Sequence, residues 1–217
     1  MAQKGYPREM PDMTPQQRRD NWWRYHWLHV LCIVLAVITL VCAAWERFTS
    51  VEADCSVALV TRYAAAPDEI ASLQAALEKA ASDTNGDGEV HVAINAIQID
   101  YKSTDLDDGA IQVMRTNVDK LNADFYMNQS GIFLLDDPES FQTNHEALRY
   151  LDGSEPPEGA SDWVNMTIPW KDWSGGAEVQ FSHCDPDHLW FARRIAGTEE
   201  NAFAGSDALW DALWKTD

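Results

Sequence analysis

Two short polar segments of the sequence carry side chains that could bind a metal ion. The first, residues 83–88 (DTNGDG), places carboxylate and amide oxygens at alternate positions before a glycine, as the opening of a calcium loop does. The twelfth position of such a loop should be Glu, but here it is Ile94. Asp83, Asn85 and Asp87 are therefore candidate ligands for weak calcium binding, and no other cofactor is implied. A hydrogen-bonded turn is the favoured interpretation, because Asn, Asp and Gly form turns without any metal.

The second segment, residues 183–188 (HCDPDH), is dense in histidine, cysteine and aspartate. Its spacing matches no zinc pattern, because a structural zinc site takes four ligands that usually come as two pairs. A polar loop is favoured here over a metal site.

The placement of the cysteines allows one disulfide bond but does not decide whether it forms. Cys32 and Cys42 lie in an apolar run, so Cys55 and Cys184 are the only pair outside it. Linking them would close a long loop and stabilise the fold by about 5 kcal/mol in the chain-entropy model. The bond needs an oxidising compartment and Cα atoms within about 7 Å, so the paired and the free states both remain open.

Six tryptophans fall in the last third of the chain, where their rings could stack on a ligand or pack in the core. Core packing is favoured for the group as a whole. Trp170 and Trp173 lie beside Gly175-Gly176 in a polar stretch, which makes them the candidates for an exposed, ligand-binding pair.

The short motifs of common enzyme classes do not occur in the sequence: it has no G-x-S-x-G, no H-E-x-x-H, no phosphate-binding loop and no dinucleotide fingerprint. Carboxylate-based hydrolases have no such motif, and Asp136-Asp137 ends a predicted strand where the sites of α/β proteins lie. A helix cap is the favoured role of either aspartate. The sequence thus favours a binding protein over an enzyme.

Hydrophobic periodicity predicts the elements that position these residues. Short apolar runs predict strands at Cys55–Thr61, Val90–Ile99 and Ile132–Leu135. Helical stripes predict helices at Pro67–Ala81, from Asp107-Asp108 to before Gly131, and at Pro138–Leu151. Weaker patterns predict strands at Val164–Ile168, Val179–Ser182 and His188–Ile195, and a closing helix at Ser206–Trp214. The alternation of strands and helices, with a first strand apolar on both faces, predicts one α/β domain with a mainly parallel sheet.

An uncharged run from Tyr25 to Trp45 contains neither Pro nor Gly. About 20 such residues span a bilayer core of roughly 30 Å. Residues 42–44 (CAA) resemble a signal-peptide cleavage site, but the long leader and the length of the apolar stretch favour an uncleaved signal anchor. We therefore expect a single-pass membrane protein with a cytoplasmic tail (1–24), a transmembrane signal anchor (25–46) and an extracytoplasmic α/β domain (47–217). The cytoplasmic N-terminus follows from five basic residues that precede the span: Lys4, Arg8, Arg18, Arg19 and Arg24.

Charge separates the two sides of this span. Five basic and three acidic residues lie up to Trp45, and 11 basic and 32 acidic residues follow, which gives net charges of +2 and −21. So acidic a domain repels nucleic acid and anionic lipid headgroups. A solvated surface that maintains solubility explains the charge more simply than a site for cations does.

The order of strand, helix, strand ending at Asp100, long helix and then residues 130–136 (SGIFLLD) resembles one lobe of an extracellular solute-binding protein of ABC transporters. The resemblance covers about Cys55–Leu151, with Leu189–Ile195 as a returning strand, and it includes no specific motif. It implies an extracytoplasmic domain that binds a ligand. That family binds its ligand between two lobes, and many members carry a lipidated cysteine. This chain has room for one lobe and carries an anchor, so no binding residue is transferred.

Three functions are compatible with the sequence. The first is a membrane-anchored, extracytoplasmic ligand-binding or interaction domain with a small-molecule ligand. The second is a structural or accessory subunit that docks onto a membrane-protein partner. The third is a carboxylate-dependent hydrolase.

Overall fold

The computed structural model describes residues 14–49, 52–104, 107–195 and 203–214. It divides the chain into two units, Met1–Val51 and Glu52–Asp217. Residues 1–13 of the predicted cytoplasmic tail lie outside the described residues.

The described part of the first unit, residues 14–49, forms one long helix, α1 (Pro15–Thr49). It begins ten residues before Tyr25, at a reciprocal cap in which Thr14 N–H donates to Gln17 Oε1 (3.1 Å) and Gln17 N–H donates to Thr14 Oγ1 (3.4 Å). Pro15 follows the cap at the first helical position, where its missing N–H costs nothing. The part from Pro15 to Cys42 is long and apolar enough to cross a membrane.

The second unit is built on one mixed five-stranded sheet with the strand order β2-β1-β3-β5-β4. Its strands are β1 (Cys55–Thr61), β2 (Val92–Gln98), β3 (Ile132–Leu135), β4 (Thr167–Pro169) and β5 (Trp190–Arg193). β1 runs parallel to β2 and to β3, whereas β5 runs antiparallel to β3 and to β4. The α/β class is confirmed, but the prediction of a mainly parallel sheet is wrong.

The early end of one helix accounts for the antiparallel half. α4 (Pro138–His145) stops six residues before its predicted end at Leu151, and Glu146 takes a left-handed conformation with φ +48°. The chain then returns through irregular structure instead of the long helical crossover that a parallel neighbour of β3 would need. β5 therefore enters the sheet in the opposite direction, with Leu135 facing Trp190.

The remaining helices are α2 (Pro67–Ala80), α3 (Asp108–Tyr126) and α5 (Ala204–Leu213). The starts of α2 and α3 agree with the predicted signals, whereas α5 begins two residues before its predicted start at Ser206. Asp107 accepts the Ala110 N–H at 2.8 Å to cap α3, and Asp137 accepts the Ser140 N–H at 3.3 Å to cap α4.

Helices cover both faces of the sheet, so β1 is buried on each side, as its apolar sequence predicts. On one face α2 and α5 pack through Leu73, Leu77, Leu209 and Trp210. The other face is covered by α3 and α4, through Leu121 and Phe141. 

Trp170 and Trp173 lie in the first of these cores, 4% and 5% exposed, so the prediction of an exposed pair is wrong. The Trp170 ring stacks on Phe191 with centroids 5.3 Å apart, and Trp173 meets Trp170 edge-on at 4.9 Å. The neighbouring glycines admit the rings. A Cβ on Gly175 would lie 2.6 Å from the Trp173 ring, and one on Gly176 would lie 2.8 Å from Trp170 Nε1. The Gly-Gly pair thus serves close packing instead of an open loop.

The weaker strand predictions have mixed outcomes. β4 overlaps the strand predicted at Val164–Ile168, and β5 lies within the one predicted at His188–Ile195. No strand forms at Val179–Ser182, where Val179 and Phe181 pack on the core from irregular backbone.

Candidate functional site

The segment that resembles a calcium loop forms a turn in which its acidic and amide oxygens accept backbone N–H groups. Asp83 accepts from Gly86 (2.6 Å) and Gly88 (2.9 Å), while Asn85 Oδ1 accepts from Asp87 N–H (2.8 Å). Gly86 and Gly88 have φ +78° and +90°, which glycine adopts readily. In the described ranges, no three His, Cys, Asp or Glu side chains are arranged to hold a metal ion. Asp83, Asn85 and Asp87 are thus arranged as turn residues.

Cys55 and Cys184 are both buried free thiols, so the structure has no disulfide between them. They lie at opposite ends of one strand. Cys55 begins β1, whereas Cys184 lies beside the side chain of Thr61, the last residue of β1. A strand of seven residues extends about 20 Å at 3.3 Å per residue. That length far exceeds the Cα separation of about 7 Å that a disulfide tolerates.

The polar residues gather instead at the carboxyl ends of β1 and β3. These neighbouring parallel strands connect onward in opposite directions, because β1 leads through α2 to β2 while β3 leads away toward β5 and β4. Such a reversal leaves a crevice beyond the strand ends, which is where open α/β sheets bind ligands. Arg62 follows β1 and Asp136 follows β3, so both sit at this crevice.

Arg62 and Asp136 form an ion pair across the crevice. The Arg62 backbone N–H (2.9 Å) and the side-chain Nε–H (3.0 Å) both donate to Asp136 Oδ2. The Asp136 side chain is 12% exposed and that of Arg62 is 39% exposed. Among the residues that the structure covers, no other protein group bonds to the Nη atoms of Arg62 or to Asp136 Oδ1.

The adjacent carboxylate, Asp137, has a different environment. It caps α4 and pairs with Lys102 Nζ at 2.9 Å. Burial raises the pKa of Asp136 even though Arg62 opposes the change. Burial acts on Asp137 in the same direction, but the hydrogen bonds from Lys102 and Ser140 outweigh it and lower the pKa of Asp137. The expected helix-cap role is therefore confirmed for Asp137.

A cavity of about 260 Å³ opens beside the ion pair, and we call it the switch-point cleft. Its floor contains Arg62, Tyr63 and Asp136. Residues 182–188, here named the cleft wall, close one side with His183, Cys184, Asp185 and His188. The predicted polar loop thus lies against the strand ends, where sequence reasoning did not place it.

Two interactions give the cleft wall its form. Asp185 accepts the Asp187 N–H at 3.1 Å, starting a short 3-10 turn at Pro186–His188, and it lies 2.8 Å from His188 Nδ1.

Burial and the negative charges of Glu69 and Asp136 raise the pKa of the Cys184 thiol. The raised pKa lowers the thiolate fraction of Cys184 and makes it a weaker nucleophile than a free cysteine.

Comparisons of the chain with protein-family models, with curated proteins and with solved structures find no match. The arrangement offers a guanidinium with free donors, a carboxylate with a free acceptor and two imidazoles around a small open cavity. These groups suit the binding of a small polar molecule.

Sequence reasoning singled out Asp136 as a strand-end residue but overlooked Arg62 and Tyr63. The available signal was position, because both directly follow the first strand of the βα repeat. In a sheet with the strand order 2-1-3, residues just after the first and third strands are the ones that the switch point brings together.

Proposed function

We propose that this chain is a membrane-anchored, extracytoplasmic ligand-binding domain whose site is the switch-point cleft. The observation that carries the proposal is the Arg62–Asp136 pair at the ends of β1 and β3, with uncommitted hydrogen-bonding atoms beside an open cavity. The β1–α2–β2–α3–β3 part is also the part that resembles one lobe of a solute-binding protein. In this proposal that part of the domain binds ligand as such a lobe does, and α1 anchors it to the membrane.

The cleft suits a small ligand that carries both an anionic group and a hydrogen-bond donor. Two Nη groups of Arg62 match a carboxylate or a similar planar anion. Asp136 Oδ1 accepts from an ammonium or a hydroxyl of the same molecule. The volume of about 260 Å³ lies just below the usual range for ligand pockets, about 300–1,000 Å³, so the ligand is small.

A thermal-shift screen of the full chain in detergent tests this function. The panel contains free amino acids, hydroxy acids, dicarboxylates, sugars and short peptides. A ligand at 100 times its dissociation constant adds about 2.7 kcal/mol, which is a rise in Tm of roughly 5–10 °C for a domain of this size. Absence of a shift with every class would contradict the proposal.

Substitutions in the cleft test whether a ligand that raises Tm binds there. Arg62→Gln and Asp136→Asn should each abolish the shift. Lys102→Gln is the matched control, because Lys102 forms a similar ion pair at the same sheet edge but does not line the cleft. A ligand whose shift survives both cleft substitutions would bind elsewhere.

The anchor is proposed from α1, with the N-terminus in the cytoplasm. An uncleaved anchor predicts that the protein extracted from washed membranes retains the peptide from Pro15 to Trp45. A mature chain that begins just after residue 44 would instead identify α1 as a cleaved signal sequence.

One observation favours a second candidate, a carboxylate-dependent hydrolase. The pKa of Asp136 is raised while that of its neighbour Asp137 is lowered, a division typical of acid–base pairs. Loss of a measured hydrolytic activity in Asp136→Asn, with ligand binding retained, would support it. No turnover on a broad panel of esters, amides and glycosides would exclude it.

A further inference from the structure

Glu69 is a buried carboxylate that touches the cleft wall without lining the cleft. It is the third residue of α2, and its side chain has no exposed surface. Oε2 accepts the N–H of Ala66 at 2.8 Å, which is half of a capping box. Oε1 accepts the N–H groups of Ser182 and of His183, the latter at 2.8 Å, and lies 3.6 Å from His183 Nδ1.

The cleft wall has few other attachments. Its described backbone hydrogen bonds are internal, from His188 N–H to Asp185 O (2.9 Å) and from Leu189 N–H to Pro186 O (3.3 Å). Neither ties the wall to another element. The wall meets other elements through side chains: Cys184 is buried in the core beside Thr61, and the turn Pro186–His188 lies against residues 170–172.

Three N–H groups donate to the Glu69 carboxylate, so the contact consists of several charge-assisted hydrogen bonds. Hydrogen bonds to a charged acceptor are roughly twice as strong as those between neutral groups. α2 is itself held in place by Leu73 and Leu77, both fully buried. The carboxylate therefore connects a fixed helix to a segment whose described backbone–backbone hydrogen bonds are all internal.

We propose that Glu69 is a positioning residue of the switch-point cleft: it holds the cleft wall against α2, and without its charge the wall opens. The role of the wall in ligand binding rests on the proposed function. The opening of the wall on loss of the Glu69 charge does not depend on that function. Cys184 reports the opening, because it is 8% exposed and sits in the wall directly after the two donors.

The test is cysteine alkylation by iodoacetamide in the folded, ligand-free full chain, with each cysteine quantified by peptide mass spectrometry. Glu69→Gln should raise the rate at Cys184 at least tenfold. Cys55 lies at the opposite end of β1, 6% exposed, and its rate should not change. A merely structural role would raise both rates together through global unfolding.

Glu78→Gln is the matched control. Glu78 also lies on α2 and accepts a backbone N–H from another element, Val92 at 3.3 Å, but it does not touch the cleft wall. Its substitution should leave the Cys184 rate within twofold of the wild type. An equal Cys184 rate in Glu69→Gln and wild type, or a parallel rise at Cys55, overturns the proposal.

A second variant keeps the test decisive if Glu69→Gln does not fold. Ser182→Pro removes one donor N–H from an exposed position and leaves the carboxylate in place. It should also accelerate alkylation of Cys184 selectively, and an unchanged rate overturns the proposal. Because no ligand is present, failure here leaves the binding function standing, and failure of the ligand screen leaves the wall contact standing.

Discussion

Arg62 Nε lies 3.0 Å from Asp136 Oδ2, and this bond joins the carboxyl ends of two strands whose residues are 74 positions apart. The carboxylate is the more buried partner, because its side chain is 12% exposed against 39% for the guanidinium. Removing the carboxylate and removing the guanidinium should therefore change the free energy of unfolding by different amounts.

This asymmetry predicts unequal effects of removing either partner. Arg62→Gln should destabilise the domain by about 2 kcal/mol at pH 7, because it leaves a largely buried carboxylate without its charge partner. Asp136→Asn should cost less, since the remaining guanidinium reaches water. Denaturant unfolding of both variants measures the difference. Equal losses, or a greater loss for Asp136→Asn, would contradict the asymmetry.

Glu69 makes stability depend on pH. Burial opposes ionisation, but the N–H groups of Ala66, Ser182 and His183 outweigh it and lower the pKa of Glu69. A lowered pKa in the folded state contributes stability that is present above the unfolded value, 4.5, and lost as the pH falls through the folded value. The Tm difference between wild type and Glu69→Gln should therefore shrink below about pH 4.5. A difference that stays constant down to about pH 3 would argue against this linkage.

The glycines beside the buried tryptophans should tolerate no side chain. Gly175→Ala and Gly176→Ala place a Cβ within 3 Å of the Trp173 and Trp170 rings, and such overpacking costs about 1–3 kcal/mol. Both should also change the tryptophan emission spectrum. Gly109→Ala on α3 is the control, because its Cβ would meet a single side-chain atom, at 3.3 Å. Neutral behaviour of all three variants would refute the close packing.

The separation of Cys55 and Cys184 predicts two free thiols. Protein purified from an oxidising compartment without reductant, then unfolded and alkylated, should carry a label on both cysteines. A species 2 Da lighter that resists alkylation at both positions would show a disulfide, and with it a different position of the cleft wall.

The turn at residues 83–88 should be stable without calcium. Adding calcium or a chelator should leave Tm unchanged. Asp83→Ala should lower stability by about 1–2 kcal/mol in either condition, because two backbone N–H groups lose their acceptor. A Tm that rises on adding calcium and falls again on chelation would restore the metal-site interpretation.

The sequence by itself determined the local secondary structure and the helix caps. The apolar runs that became β1, β2 and β3, the stripes of α2 and α3, and the caps at Asp107 and Asp137 depend on residues within one or two helical turns of one another. The apolar part of α1 was equally visible, although the helix begins ten residues before the predicted run.

The tertiary structure alone decided the sheet's antiparallel half, the burial of Trp170 and Trp173, and the composition of the cleft. Each depends on contacts between distant residues: Arg62 meets Asp136 across 74 positions, and Glu69 meets Ser182 across 113. Periodicity and capping describe neighbours along the chain and carry no information about such pairs. Which strand lies beside which, and therefore which polar groups meet at the strand ends, follows from how the whole domain buries its apolar faces.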